Sequence, residues 1–88
     1  MSTESHNKHY QEYAARFAAV SSQNLVESFN KEVGNTGWTS MRASFIAALI
    51  DEFRNRGIDI SVAYDGRSTD FNHHVRLDES GNRLIRID

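Results

Sequence analysis

Apolar residues recur with helical spacing in the first part of the chain and alternate like strand residues after Gly57. The first stripe follows the spacing i, i+3, i+4 and i+7, and it consists of Tyr10, Tyr13, Ala14, Phe17 and Val20. This spacing predicts an amphipathic helix over residues 8–20. A second helix follows, with Ser21 as its N-cap or, alternatively, with a start at Asn24. Gly34 supplies the left-handed stop.

The third predicted helix is the most apolar segment of the chain. It follows the turn 34–37, and Thr39 or Ser40 can cap it. Apolar residues cover more than half of its circumference, as expected of a helix that is covered on two faces. We therefore place it centrally, with Phe45 and Leu49 deeply buried. Gly57 ends it in a Schellman motif, in which Ile58 folds back on Phe53.

The remainder of the chain predicts three strands, at residues 58–64, 71–77 and 83–87. Turn-forming residues separate them at 65–70 and 78–82. Leu84 is out of phase with Ile85 and Ile87, so the facing of the last strand stays open. The prediction is a two-layer α+β fold of order α-α-α-β-β-β, with a three-stranded antiparallel meander packed on the central apolar helix.

Length and composition narrow the class of protein. The 88 residues suit a single domain at 8–88, preceded by a flexible N-terminus at 1–7. The chain has no cysteine, and its longest apolar run, residues 45–50, is far shorter than the ~20 residues that span a bilayer. We expect a soluble cytoplasmic protein. A net charge of −2 argues against a general nucleic-acid binder.

The candidate contact surface is the turn before the third helix, together with the first turn of that helix. Its residues are Asn35, Thr36, Trp38, Thr39, Ser40 and Arg42. Backbone donors at a helix start are unpaired, Trp38 offers a large apolar area, and Arg42 offers a fixed positive charge. The alternative is structural: Trp38 closes the end of the core, and Arg42 lies over apolar neighbours and pairs with an acidic side chain.

The sequence contains no pattern typical of a catalytic or metal site. His73 and His74 are strand neighbours and point to opposite faces, whereas His6 and His9 lie in a polar terminus. Adjacent acidic residues at 51 and 52 diverge on a helix, so they do not form an acid/base pair. We therefore expect no catalytic residue, no metal and no cofactor.

These observations predict a non-enzymatic protein–protein interaction domain. The alternative is an Arg-mediated binder of nucleic acid or of a phosphate ligand, because eight of the ten basic residues are Arg. A minor enzyme is the third reading. Homodimerisation is a further expectation, through Leu84 as an apolar group on the outer face of an edge strand. Binding to phosphates would weaken steeply with salt, and an apolar interface would not.

Overall fold

A computed structural model describes residues 2–35, 37 and 39–87, with side chains at 8–35, 37, 39 and 41–87. Three helices precede a two-stranded antiparallel sheet. The elements are α1 (Ser2–Ala18), α2 (Ser22–Glu32), α3 (Ser40–Asn55), β1 (Val75–Leu77) and β2 (Leu84–Arg86). The predicted α+β class is confirmed. Within the described residues, no helix combines the length and the apolar character needed to cross a membrane.

The helix ends follow the local chemistry of the sequence. The Ser21 hydroxyl accepts the Asn24 backbone N–H at 3.1 Å and caps α2, so the alternative start at Asn24 is wrong. Thr39 caps α3 in the same way. At the other end of α3, Gly57 adopts φ +73° and the Ile58 N–H donates to the Phe53 carbonyl at 3.0 Å. These features confirm the predicted Schellman motif. Helix α1 starts at Ser2, six positions before the predicted start.

Helix α3 forms the centre of the helical layer. Leu49 and Phe53 are wholly buried, as predicted for Leu49. Phe45 is only half-buried, and its ring meets those of Tyr13 and Phe17 edge to face, with centroids 5.3 and 5.2 Å apart. Helix α1 packs along α3, whereas α2 contacts both α3 and β1. The sheet therefore has its main helical contact with α2, whereas the sequence predicted that it packs on α3.

A third strand is not confirmed, because the chain turns after Ile60. The Asp59 carboxylate accepts the Ser61 N–H at 2.8 Å, and the Ile60 carbonyl accepts the N–H groups of Ala63 and Tyr64 at 2.9 Å. An Asp side chain that bonds the backbone two residues on favours a turn over a strand. Ala63 is consequently buried, while Val62 is 41% exposed. Two isolated bridges remain in this segment, a parallel one between Asp59 and Arg83 and an antiparallel one between Tyr64 and Thr69.

Leu84 faces the core, contrary to the prediction of an outward-facing group. It lies opposite Leu77 in the ladder and is 2% exposed, whereas Ile87 is 53% exposed. The apolar layer between the sheet and α2 accounts for this facing, because Val75 and Leu84 join one core cluster with α2 residues. The argument for homodimerisation through an exposed Leu84 is therefore wrong.

The outer edge of β1 is closed by a side chain of α2. The Asn30 amide donates to the Val75 carbonyl at 2.9 Å and accepts the Val75 N–H at 2.9 Å. A carboxamide has the donor and acceptor of a peptide group, so Asn30 takes the place of a neighbouring strand at that position. This pairing fixes α2 to the sheet and removes one position at which another chain could pair with β1.

Candidate functional site

The turn between α2 and α3 has the exposed character expected of a contact surface. Asn35 is exposed, and its side chain accepts the Gly37 N–H at 3.0 Å. Thr39 is exposed as well, and its hydroxyl accepts the Arg42 N–H at 3.1 Å. Ser40 begins α3. Thr36, Trp38 and the side chain of Ser40 lie outside the described residues.

Arg42 is held within the fold. Its Nε donates to the Glu32 carboxylate at 2.7 Å, and its Nη1 donates to the Gly37 carbonyl at 2.7 Å. The guanidinium also lies over the Phe71 ring, 5.4 Å from the centroid, and the side chain is only 12% exposed. Arg42 therefore fixes the end of α2 and the following turn against α3. This geometry favours the structural alternative for Arg42.

At the opposite end of α3, Arg56 fixes the end of α1 and the following turn against α3. Its Nη2 donates to the carbonyls of Phe17 and Val20, at 2.8 and 2.7 Å, and its Nη1 donates to the Ser22 hydroxyl at 3.2 Å. Its Nε pairs with Glu52 one turn earlier. A planar guanidinium carries several donors in a fixed fork, so Arg56 bonds at once to a carbonyl in the last turn of α1 and to one in the chain that follows it. Each end of α3 thus carries an arginine that holds the helix before it.

A shallow depression of about 360 Å³ lies at the turn. Asn35, Thr39 and Arg42, three of the predicted site residues, line it together with Tyr13 and Met41. Since Glu32 already neutralises Arg42, the depression is less suited to an anion than the sequence indicated.

A larger groove of about 520 Å³ runs along the exposed side of α3. One wall comes from α3, with Ala43, Ile46, Ala47, Ile50 and Asp51. The other wall comes from the segment before β1, with Tyr64, Arg67, Ser68, Thr69 and Phe71. We call this set the α3 groove. Sequence reasoning missed it, although Ala43 and Ala47, one helical turn apart and beside two isoleucines, were a usable signal.

The loop wall of the groove is fixed by its own hydrogen bonds. The Asp65 carboxylate accepts the N–H groups of Arg67 and Ser68 at 2.8 and 2.9 Å, and these bonds hold the pKa of Asp65 below its ordinary value. Tyr64 and Thr69 form an antiparallel bridge. Among the described residues, no hydrogen bond or ion pair engages the guanidinium of Arg67, which is exposed. The groove therefore carries an available cation on an ordered loop.

On the helix wall, Asp51 already has a partner. The Tyr10 hydroxyl donates to its Oδ2, and this hydrogen bond is the main reason that the pKa of Tyr10 is raised. The bond joins α1 to α3 beside the groove. Because a carboxylate accepts several hydrogen bonds, Asp51 can accept a further one at the rim. The two walls thus differ in charge.

Within the described side chains, the histidines and acidic residues do not converge, and no three His, Asp or Glu come close enough together to hold a metal ion. His73 and His74 are both half-buried.

Comparison with known protein families, with curated proteins and with solved structures finds no match for this chain.

Replacement of Arg42 by Ala is expected to lower the free energy of unfolding by about 1–3 kcal/mol, because Glu32 and the Gly37 carbonyl lose a charged donor. Urea denaturation of the variant would measure this. Met41→Ala is the matched control, since Met41 is the neighbouring residue and is half-exposed. An Arg42→Ala protein as stable as the parent would leave Arg42 available for a surface role.

Proposed function

We propose that this protein is a small, non-enzymatic protein-interaction domain whose α3 groove holds the apolar side of a protein partner. The observation that supports this most directly is the row of Ala43 and Ala47 on α3. Their small side chains leave a depression above Ile46 and Ile50, which are almost fully buried. A helix surface this apolar and this concave is suited to contact with another apolar surface.

The size of the groove agrees with this role. A volume of about 520 Å³ lies within the ~300–1,000 Å³ of typical ligand sites, and it accommodates a few side chains of a partner. Tyr64 and Phe71, both half-buried, contribute aromatic area to the loop wall. Half-buried aromatic residues in pockets are frequent energetic centres of protein interfaces.

A protein partner fits the charge distribution better than a nucleic acid does. The chain has a net charge of −2, and two of its arginines, Arg42 and Arg56, are paired with Glu32 and Glu52. Phosphate binding through several sites needs cations that are not neutralised within the fold. We therefore expect the affinity for the partner to respond little to salt.

We also place the protein in the cytoplasm, because a chain without cysteine suits a reducing compartment.

The test is a selection of binders from a random 16-residue peptide library displayed on phage. Ala47→Arg fills the groove and places a charge where the apolar side of a bound partner would lie, so we expect the selected peptides to lose affinity by at least about tenfold. Ala15→Arg, an equal change at an exposed position of α1, is the control and is expected to leave binding intact.

Three results would contradict the proposal. An absence of binders, or binders insensitive to Ala47→Arg, would remove the groove as the contact surface. Binders that are lost on Asn35→Arg and retained on Ala47→Arg would assign binding to the turn that the sequence predicted.

A further inference from the structure

From the geometry of the α3 groove we infer that the bound segment is an amphipathic α-helix, with an acidic side chain that pairs with Arg67. This inference rests on the proposed function and names the kind of partner. Three properties of the groove carry it: the pairing of the nearby backbone, the spacing of its alanines and the position of its cation.

Backbone groups around the groove are already hydrogen-bonded, so few of them are available to pair with an extended peptide. The N–H groups of Arg67 and Ser68 donate to Asp65, and the Asp70 N–H donates to the Ala63 carbonyl at 2.7 Å. Peptides that bind as strands need an open row of backbone groups. A segment in an apolar groove must otherwise satisfy its own N–H and C=O groups, as an α-helix does.

The two edges of the sheet are each interrupted by a backbone group that is already paired. Asn30 occupies the outer edge of β1 at Val75. On the other side of the sheet, the Asp59 N–H donates to the Asn82 carbonyl at 2.7 Å and the Leu84 N–H donates to the Asp59 carbonyl at 2.8 Å. Strand addition therefore meets paired groups on both sides of the sheet.

The spacing of Ala43 and Ala47 suits a crossing helix. Residues four apart form a ridge on a helix, and helices pack by placing the ridges of one in the grooves of the other. The two small side chains lower this ridge beside the ridge of Ile46 and Ile50, so that larger side chains of a partner helix fit into the depression. A set of apolar residues at i, i+3, i+4 and i+7 would fill it.

Charge then selects the partner. Arg67 stands on the loop wall and is not engaged by the described residues, whereas Asp51, on the helix wall, is bonded to Tyr10. A guanidinium forms two parallel hydrogen bonds with a carboxylate, which makes Asp or Glu its best-matched partner. The acidic residue of the bound helix would lie beside its apolar stripe, on the side that faces the loop.

The experiment compares two peptide libraries that share the same randomised positions. One is built on a helix-forming Ala/Glu/Lys scaffold without Gly or Pro, and the other has two prolines that prevent a helix. We expect binders from the helical library alone, with an acidic residue among the selected positions. Circular dichroism should show that the free peptide gains helicity on titration with the protein.

A charge reversal tests the role of Arg67. Arg67→Glu should weaken the selected acidic peptide by at least about tenfold, and replacement of that peptide's acidic residue by Lys should restore affinity to Arg67→Glu. Arg76→Glu is the control, because Arg76 is also exposed but lies on β1, outside the groove.

The outcomes separate the inference from the proposed function. Binders from the proline library that are lost on Ala47→Arg would overturn the helix and leave the groove as the contact surface. Helical binders indifferent to Arg67→Glu would overturn the charge selection. Binders unaffected by Ala47→Arg would contradict both proposals. Sedimentation of the protein alone tests whether a second copy of the chain occupies the groove. A dimer that dissociates on Ala47→Arg would identify the bound segment as part of that second copy.

Discussion

Replacing Leu49 by Ala is expected to lower the free energy of unfolding by about 2–5 kcal/mol. Leu49 is 0% exposed, at the centre of α3, among the core residues contributed by all three helices. The substitution leaves a cavity that the neighbouring side chains fill only in part, so packing is lost as well as apolar burial. A domain of 88 residues has a small stability margin, and this loss is a large share of it.

Urea denaturation followed by circular dichroism would measure the effect of Leu49→Ala. Met41→Ala removes a side chain of similar size from the same helix, at a position that is 50% exposed. We expect that control to change stability by less than about 0.5 kcal/mol. Equal denaturation midpoints for Leu49→Ala and the parent protein would contradict the placement of α3 in the core.

Arg56→Ala is expected to destabilise the protein by about 2–4 kcal/mol, the second large effect. The substitution removes the charged donor from the carbonyls of Phe17 and Val20, of which Phe17 keeps only the Val20 backbone N–H, and it breaks the ion pair with Glu52. Arg56→Lys keeps the charge but lacks the planar fork, and one ammonium group does not reach all of these acceptors. We therefore expect Lys to restore only part of the lost stability.

Arg54→Ala is the matched control for Arg56→Ala. Arg54 lies in the last turn of α3, two residues before Arg56, but its side chain is exposed. Surface substitutions of this kind change stability by less than about 0.5 kcal/mol. If Arg54→Ala and Arg56→Ala had the same denaturation midpoint, the guanidinium of Arg56 would not be holding α1.

The two clamping arginines also bear on function. An excess of Arg over Lys first suggested contacts with phosphate, yet Arg42 and Arg56 bond to carbonyls and carboxylates of their own chain. Both stabilise the junction between α3 and a preceding helix. Arg67, in contrast, stands at the α3 groove without such partners among the described residues. Arginine content alone therefore did not locate the binding surface.

Local signals in the sequence determined where α2 begins and where α3 begins and ends, although they did not give the start of α1. Ser21 and Thr39 each bond a backbone N–H three residues ahead, and the stop at Gly57 involves only the last turn of α3. Interactions over so few residues are present in the sequence itself, so they predict the caps and the Schellman motif correctly. The apolar character of α3 likewise predicted the burial of Leu49.

Tertiary structure decided the rest, because the deciding contacts join distant segments. The alternation of apolar and polar residues over 58–64 is compatible with a strand. The hydrogen bond from the Ser61 N–H to the Asp59 side chain, however, stabilises a turn directly after the bridge between Asp59 and Arg83. The facing of Leu84 depends on its register opposite Leu77. The α3 groove exists only because the segment before β1 packs beside the alanines of α3. The helical spacing of apolar residues in the sequence does not show which distant segment packs there. Sequence thus determined the helices, whereas folding decided the sheet and the candidate binding surface.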